Sequence, residues 1–200
     1  MDTQHGMLPA MATSRVRGPA TAADLDDERQ EIVRGEIVRK ASPSFGHGLT
    51  QLALGAALGG FLGRASQGRP GGWWLASEVE IELDTHEVYL PDIAGWRIER
   101  VPEPPDARPV RIAPDWVCEI LSPSTADRDL GHKQWNYHRA RVGHYWILEP
   151  ISRVLTVYRW QEAGYLLAMA AGAGAVVRAE PFDAIEIALD DIFRLPPRDS

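Results

Sequence analysis

One cysteine in 200 residues, Cys118, leaves no partner for an internal disulfide. That suits a reducing compartment and predicts a cytoplasmic protein. Cys118 lies inside an apolar run, where a thiol behaves as a small buried hydrophobe rather than a nucleophile. Long hydrophobic runs are also missing. The most apolar stretch, residues 49–64, is interrupted by Gln51 and is shorter than the ~20 residues a spanning helix needs, so no membrane partner is expected. Positive charge is scarce overall: 21 Lys and Arg stand against 28 Asp and Glu, a formal net charge of −7. This excludes a protein that coats nucleic acid by bulk electrostatics, but not an enzyme with a local basic groove. The chain has no internal repeat, no Cys/His zinc spacing and no phosphate-binding glycine loop.

What remains fits a single α/β domain over residues 24–196, preceded by a disordered tail over residues 1–23 that is rich in Ala, Thr, Gly and Pro. The acidic stretch Asp24 to Ile32 predicts a short helix. Gly35 reads as a turn before a strand, Glu36 to Lys40. Pro43 to His47 leads into a helix over residues 49–64, whose glycines at 55, 59 and 63 clear a groove for close packing. Trp73 to Leu83 alternates as one strand and Val88 to Trp96 returns as the next. Pro91 interrupts the second, and since proline cannot donate to a ladder, that position must be an edge, a bulge or a change of pairing. Further on come a helix over residues 130–141, a strand over 144–148, an antiparallel hairpin turning at Gly164, and a last strand and short helix within 182–195.

The stretch PDWVCEILSPSTADRDLGHKQWNY, Pro114 to Tyr137, holds the unusual chemistry. Trp116, Val117, Cys118, Ile120 and Leu121 form the kind of run that becomes a strand covered on both faces. Glu119 sits in the middle of it, and a buried carboxylate needs a cation or an ammonium for company. Ser122-Pro123-Ser124-Thr125 reads as a turn capping the following helix. Steps of four then align Asp129, Lys133 and Tyr137 on one helical face. Asp92 lies 27 residues before Glu119, at the Pro-Asp break. Two carboxylates converging from neighbouring strand ends can hold a hard divalent cation, and a nearby amine can stabilise charge developing on a phosphorus centre.

These residues resemble the PD-(D/E)XK nuclease superfamily and, within it, the Uma-type family of restriction-endonuclease-like proteins. The resemblance rests on GEIVRKASPSFGH, LPDIAGW, PDWVCEILSPSTADRDLGHKQWNY, GHYWILEP and RVLTVYRW, and covers roughly residues 31–195. It implies a restriction-endonuclease-like α/β/α core with a mixed central sheet and a C-terminal antiparallel hairpin. It also implies a Mg²⁺-dependent endonuclease acting on phosphodiester bonds in DNA, with Mn²⁺ as a substitute cation. Asp92 and Glu119 would be catalytic acids and metal ligands, together with the Ile120 backbone carbonyl. Lys133 would be the catalytic amine, since the superfamily's usual lysine position, two after the acid, holds Leu121. Glu36 would be the glutamate from the amino-terminal part that completes the site, with Glu78 as a second candidate. Cutting both strands needs two sites, which allows a homodimer. The competing readings are an inactive scaffold that binds nucleic acid or protein, and a hydrolase of small phosphate esters.

Overall fold

The computed structural model describes residues 18–26, 29–66, 68–121 and 130–194. The expected Ser122–Thr125 turn and Asp129 lie outside them. Strands β1 (Gln30–Val33) and β2 (Glu36–Arg39) form an antiparallel hairpin. Its two turn residues, Arg34 and Gly35, both have positive φ, 54° and 76°, as a tight two-residue hairpin turn requires. The helix expected from Asp24 to Ile32 is therefore absent. Among the described residues of this stretch only Ala22–Asp24 make a helical turn, and Ile32, wholly buried, pairs instead with Val88 across the sheet. Helix α1 (Phe45–Leu58) begins where the Ser44 hydroxyl accepts the His47 N–H at 3.2 Å, an N-cap bond that satisfies one of the free amides of the first turn.

The two runs expected as single strands each divide between two sheets. Residues 73–84 give β3 (Trp73–Ser77) and β4 (Ile81–Asp84), separated by Glu78 in a left-handed conformation, φ 53°. The return gives β5 (Glu87–Tyr89) and β6 (Ile93–Arg97), separated by Pro91-Asp92. β4 and β5 belong to a four-stranded sheet of order β2-β1-β5-β4, whereas β3 and β6 belong to a six-stranded one. Pro91 thus marks a change of pairing. β7 (Trp116–Ile120), α2 (Leu130–Arg139) and β8 (His144–Glu149) make a parallel crossover, and β9 (Val154–Gln161) with β10 (Gly164–Gly172) forms the C-terminal hairpin. The large sheet runs β10-β9-β8-β7-β6-β3, with β7 and β8 parallel and every other neighbour antiparallel. The pair β11 (Val176–Val177) and β12 (Ile187–Ala188) precedes the short α3 (Leu189–Ile192).

All five residues of β7 are buried, as expected for a strand with apolar layers on both faces. On one face Trp116, Trp146 and Phe182 pack edge to face beneath Leu54 and Leu58 of α1, a geometry favoured by the ring quadrupoles. Gly95 of β6 is needed there, because a Cβ would stand 2.9 Å from Leu75 Cδ2 and 3.2 Å from both Trp73 and Trp116. On the other face Val117 packs with Ala94, Trp96, Tyr145 and Tyr137 of α2. With a helix on each face, the mixed sheet is the centre of an α/β/α layering.

Candidate active site

The change of sheet at Pro91 brings Asp92 to the end of β6, where it is only 1% exposed. Its Oδ2 accepts the Ile120 backbone N–H at 2.6 Å, and its own carbonyl accepts Gln51 Nε2 at 2.7 Å. Oδ1 accepts Lys40 Nζ at 2.7 Å and lies 3.2 Å from His47 Nε2. Lys40, just past β2, also donates to the Leu90 carbonyl at 2.7 Å and stands 3.5 Å from Glu78, which Arg29 engages. His47 and Gln51 reach Asp92 together because i and i+4 share a helical face.

The pairing of Ile93 with Cys118, continued one residue, sets Asp92 beside Glu119. Side chains opposite one another in an antiparallel pair lie on the same face. Glu119, 6% exposed, accepts Tyr137 Oη at 2.8 Å, and its Oε1 lies 3.4 Å from Lys133 Nζ. The expected common face of Lys133 and Tyr137 is thus present and is turned onto Glu119. Lys133 donates more closely, at 2.8 Å, to Glu31 of β1, whose Oε1 also accepts the Leu90 N–H at 2.9 Å.

Five charged groups therefore share one buried volume: carboxylates of Glu31, Asp92 and Glu119, and ammoniums of Lys40 and Lys133. Burial pushes the Glu119 carboxyl above the ordinary range; Lys133 pulls it back and Asp92 pushes it further up. Burial also pushes Asp92 upward, but the His47 ring and the Lys40 ammonium outweigh it and hold the group at about 2. Lys40 and Lys133 are both raised, because Glu119 and the other carboxylates more than offset the cost of burying an ammonium. Three acids against two amines leave one negative charge in excess. No three His, Cys, Asp or Glu side chains form a ready-made cation cage among the described residues. The donor set nonetheless suits a hard divalent cation, since oxygens predominate and the surplus charge is negative.

Residues 19–190 match the Uma2 family, described as "Putative restriction endonuclease". The chain belongs to this family. Its fold is similar to the crystal structure of "a putative nuclease belonging to DUF820" from Anabaena variabilis, with TM-score 0.66 and 21% identity over 88% of this chain and 98% of that one. No curated protein matches the chain. The Uma2 match and the shared fold agree with the α/β/α architecture and C-terminal hairpin. No described helix is long and apolar enough to cross a membrane.

Of the residues the Uma-type resemblance implied, Asp92, Glu119, the Ile120 backbone and Lys133 are gathered in this Uma2 chain. Glu36 is not: it stands exposed at the start of β2 opposite Val33 and contributes no bond to the cluster. Glu31, 3% exposed, is the acid of this hairpin that enters the cluster, through Lys133. Glu78 lies one step out, between Arg29 and Lys40. Lys40 and His47 also belong to the cluster. A signal for Glu31 existed in the sequence: Ile32 and Ile37 lie symmetrically about Arg34-Gly35, a hairpin pattern that puts residue 31 in a strand. None was present for Lys40.

Proposed function

We propose that this protein is a divalent-metal-dependent endonuclease hydrolysing phosphodiester bonds in DNA. The observation that carries the reading is the pair Asp92 and Glu119, buried side by side with an excess of negative charge and two lysines within reach. Asp92 and Glu119, with the Ile120 carbonyl, would hold Mg²⁺, or Mn²⁺ in its place. A divalent cation there supplies Lewis-acid charge and lowers the pKa of a coordinated water. The chain's own groups do the rest. Tyr137 and Lys133 fix the Glu119 carboxylate, and Ile120 N–H fixes Asp92, so neither acid must reorganise during the reaction. Lys133, tied to Glu31, supplies fixed positive charge beside the reacting phosphate. Glu31 acts as a positioning residue for that amine.

Family membership supports a nucleic-acid substrate, and DNA is the form we infer. The wholly buried Cys118 thiol is compatible with a cytoplasmic location, and two copies acting together would cut both strands of a duplex. The test is cleavage of supercoiled plasmid, single-stranded DNA, RNA and a chromogenic diester, with Mg²⁺ or chelator. Cation-dependent plasmid cleavage that disappears in Asp92→Asn and Glu119→Gln supports the reading. If none of the four substrates is cut by the native chain under any divalent cation, the inactive-scaffold reading takes its place.

A further inference from the structure

The outward side of α2 carries positive charge in an acidic chain. Residues 130–148 contain no Asp or Glu, although the formal net charge of the whole is −7. Lys133 and Tyr137 turn inward to Glu119. Trp135 and Arg139, each two residues further on, share the opposite side of the helix.

The arginines here are held differently from those elsewhere on the surface. Arg100, Arg108, Arg111 and Arg153 each meet a carboxylate at 2.8–2.9 Å, which offsets their charge. Around α2 the partners are rings. The Arg139 guanidinium lies 4.6 Å from the centre of the Trp135 ring and that of Arg141 5.8 Å from the centre of Trp160, both within cation–π range. Arg34, at the tip of the β1–β2 hairpin, donates its Nε–H to His132 Nδ1 at 3.3 Å, and the His132 ring stands beside Trp135. The acids that approach are Asp84, half exposed and 4.0 Å from Arg139, and Glu87, nearly buried behind His132. The rings thus steady the guanidiniums and leave their charge in force. Arg34 and Arg141 also occupy left-handed backbone, φ 54° and 58°, at turn positions where Gly or Asn is less strained. Strain of that kind is retained where a side chain has a task. Trp135 itself is 54% exposed.

We propose that this face, from Arg34 across Trp135 and Arg139 to Arg141, binds an unpaired strand of nucleic acid, with the arginines on successive phosphates and Trp135 stacked on a base. Fixed cations beside an exposed aromatic ring are how single strands are held without sequence readout. An acidic peptide would engage the charges but give the indole no planar partner. The inference rests on the nuclease reading above and says where the strand runs. A helix is about 10–12 Å thick, so the face stands about three or four nucleotides, at about 3.4 Å each, from the acids on its far side.

Fluorescence anisotropy of a short labelled oligothymidylate, read in chelator so that nothing is cut, tests this on the full chain. The native protein should bind with an affinity that falls as salt rises. Trp135→Ala should weaken that binding about 5–150-fold, with little effect on an abasic oligomer of equal length and charge. Arg139→Gln and Arg141→Gln should each reduce the salt slope by about 0.7 on both oligomers. The three side chains are on the surface, and circular dichroism checks that the variants are folded. Native-level binding by all three variants overturns the inference, and cation-dependent plasmid cleavage then leaves the nuclease reading standing. Equal losses on the two oligomers in Trp135→Ala overturn the base contact, and tighter binding of duplex overturns the unpaired strand. A native chain that binds neither oligomer overturns the inference outright, whereas the nuclease reading falls only if plasmid cleavage is absent too.

Discussion

Asp92 Oδ2 accepts the backbone N–H of Ile120 at 2.6 Å, so the first carboxylate is fastened to the strand that carries the second. The Asp92 carboxylate is thereby held against the backbone of β7, while Tyr137 and Lys133 hold that of Glu119. Mutations at the two acids should differ in their consequences for stability, because the ionised form is favoured at Asp92 and disfavoured at Glu119.

For Glu119, the expectation is loss of function with stability retained or raised. Burial and the Asp92 charge both disfavour its ionised form, so Glu119→Gln removes the excess negative charge and leaves two acids matched by two amines. Cleavage should drop by about 10²–10³ or more, the range for removing one preorganised group. The thermal midpoint, read by circular dichroism, should not fall. Such a trade is expected where an active site is held against its own stability.

Lys133 should behave in the reverse way. Lys133→Met leaves Glu31 and Glu119 facing each other without an ammonium, and breaking a buried pair from one side costs about 3–5 kcal/mol. Denaturant unfolding should show that loss. The double variant Glu31→Gln/Lys133→Met should recover a large part of it, a coupling that a double-mutant cycle measures directly.

The pH dependence follows from Asp92. Its carboxyl titrates at about 2 in the folded protein, against about 3.9 for an ordinary aspartate. The unfolded chain therefore binds the proton more readily, and stability rises with pH between these two values. The contribution, on the order of 2 kcal/mol, is complete above about pH 4 and disappears as pH falls through the folded value. Unfolding midpoints measured from pH 2 to 5 should show the native chain gaining stability over Asp92→Asn across this window.

Glu31 and Glu36 give the sharpest positional contrast. Glu36→Gln, at an exposed strand start, should change stability by no more than about 0.5 kcal/mol and leave cleavage untouched. Glu31→Gln weakens the hold on Lys133 and should lower cleavage measurably. Equal effects at the two positions would contradict the cluster as described.

Much of this was legible in the sequence because it rests on local pattern. The continuous apolar run around Glu119 gave a strand covered on both faces, and the four-residue step gave Lys133 and Tyr137 one direction. Pro91 announced an interruption, since it removes a ladder donor. Other features depended on contacts between distant segments. Whether Glu31 or Glu36 turns inward is decided by the hairpin docking on β5, where Ile32 meets Val88. Acidic composition suggested a helix there, and tertiary pairing overrode it. Lys40 resembles any strand-terminal lysine until Leu90 and Asp92 arrive from 50 and 52 residues away. Gln51 looked like a flaw in an apolar helix. It is instead a bond to the Asp92 carbonyl.

Leu90 joins the two halves of this arrangement, giving its N–H to Glu31 and its carbonyl to Lys40 at the point where the chain passes between sheets. The acids and amines are consequently owned by neither sheet alone. Were the smaller sheet to lift away, Glu31 and Lys40 would leave together, and Asp92 and Glu119 would confront one another with half their company gone. Assembly of the charged centre thus reports the docking of the two sheets, and a cation bound there would act as a rivet across the seam.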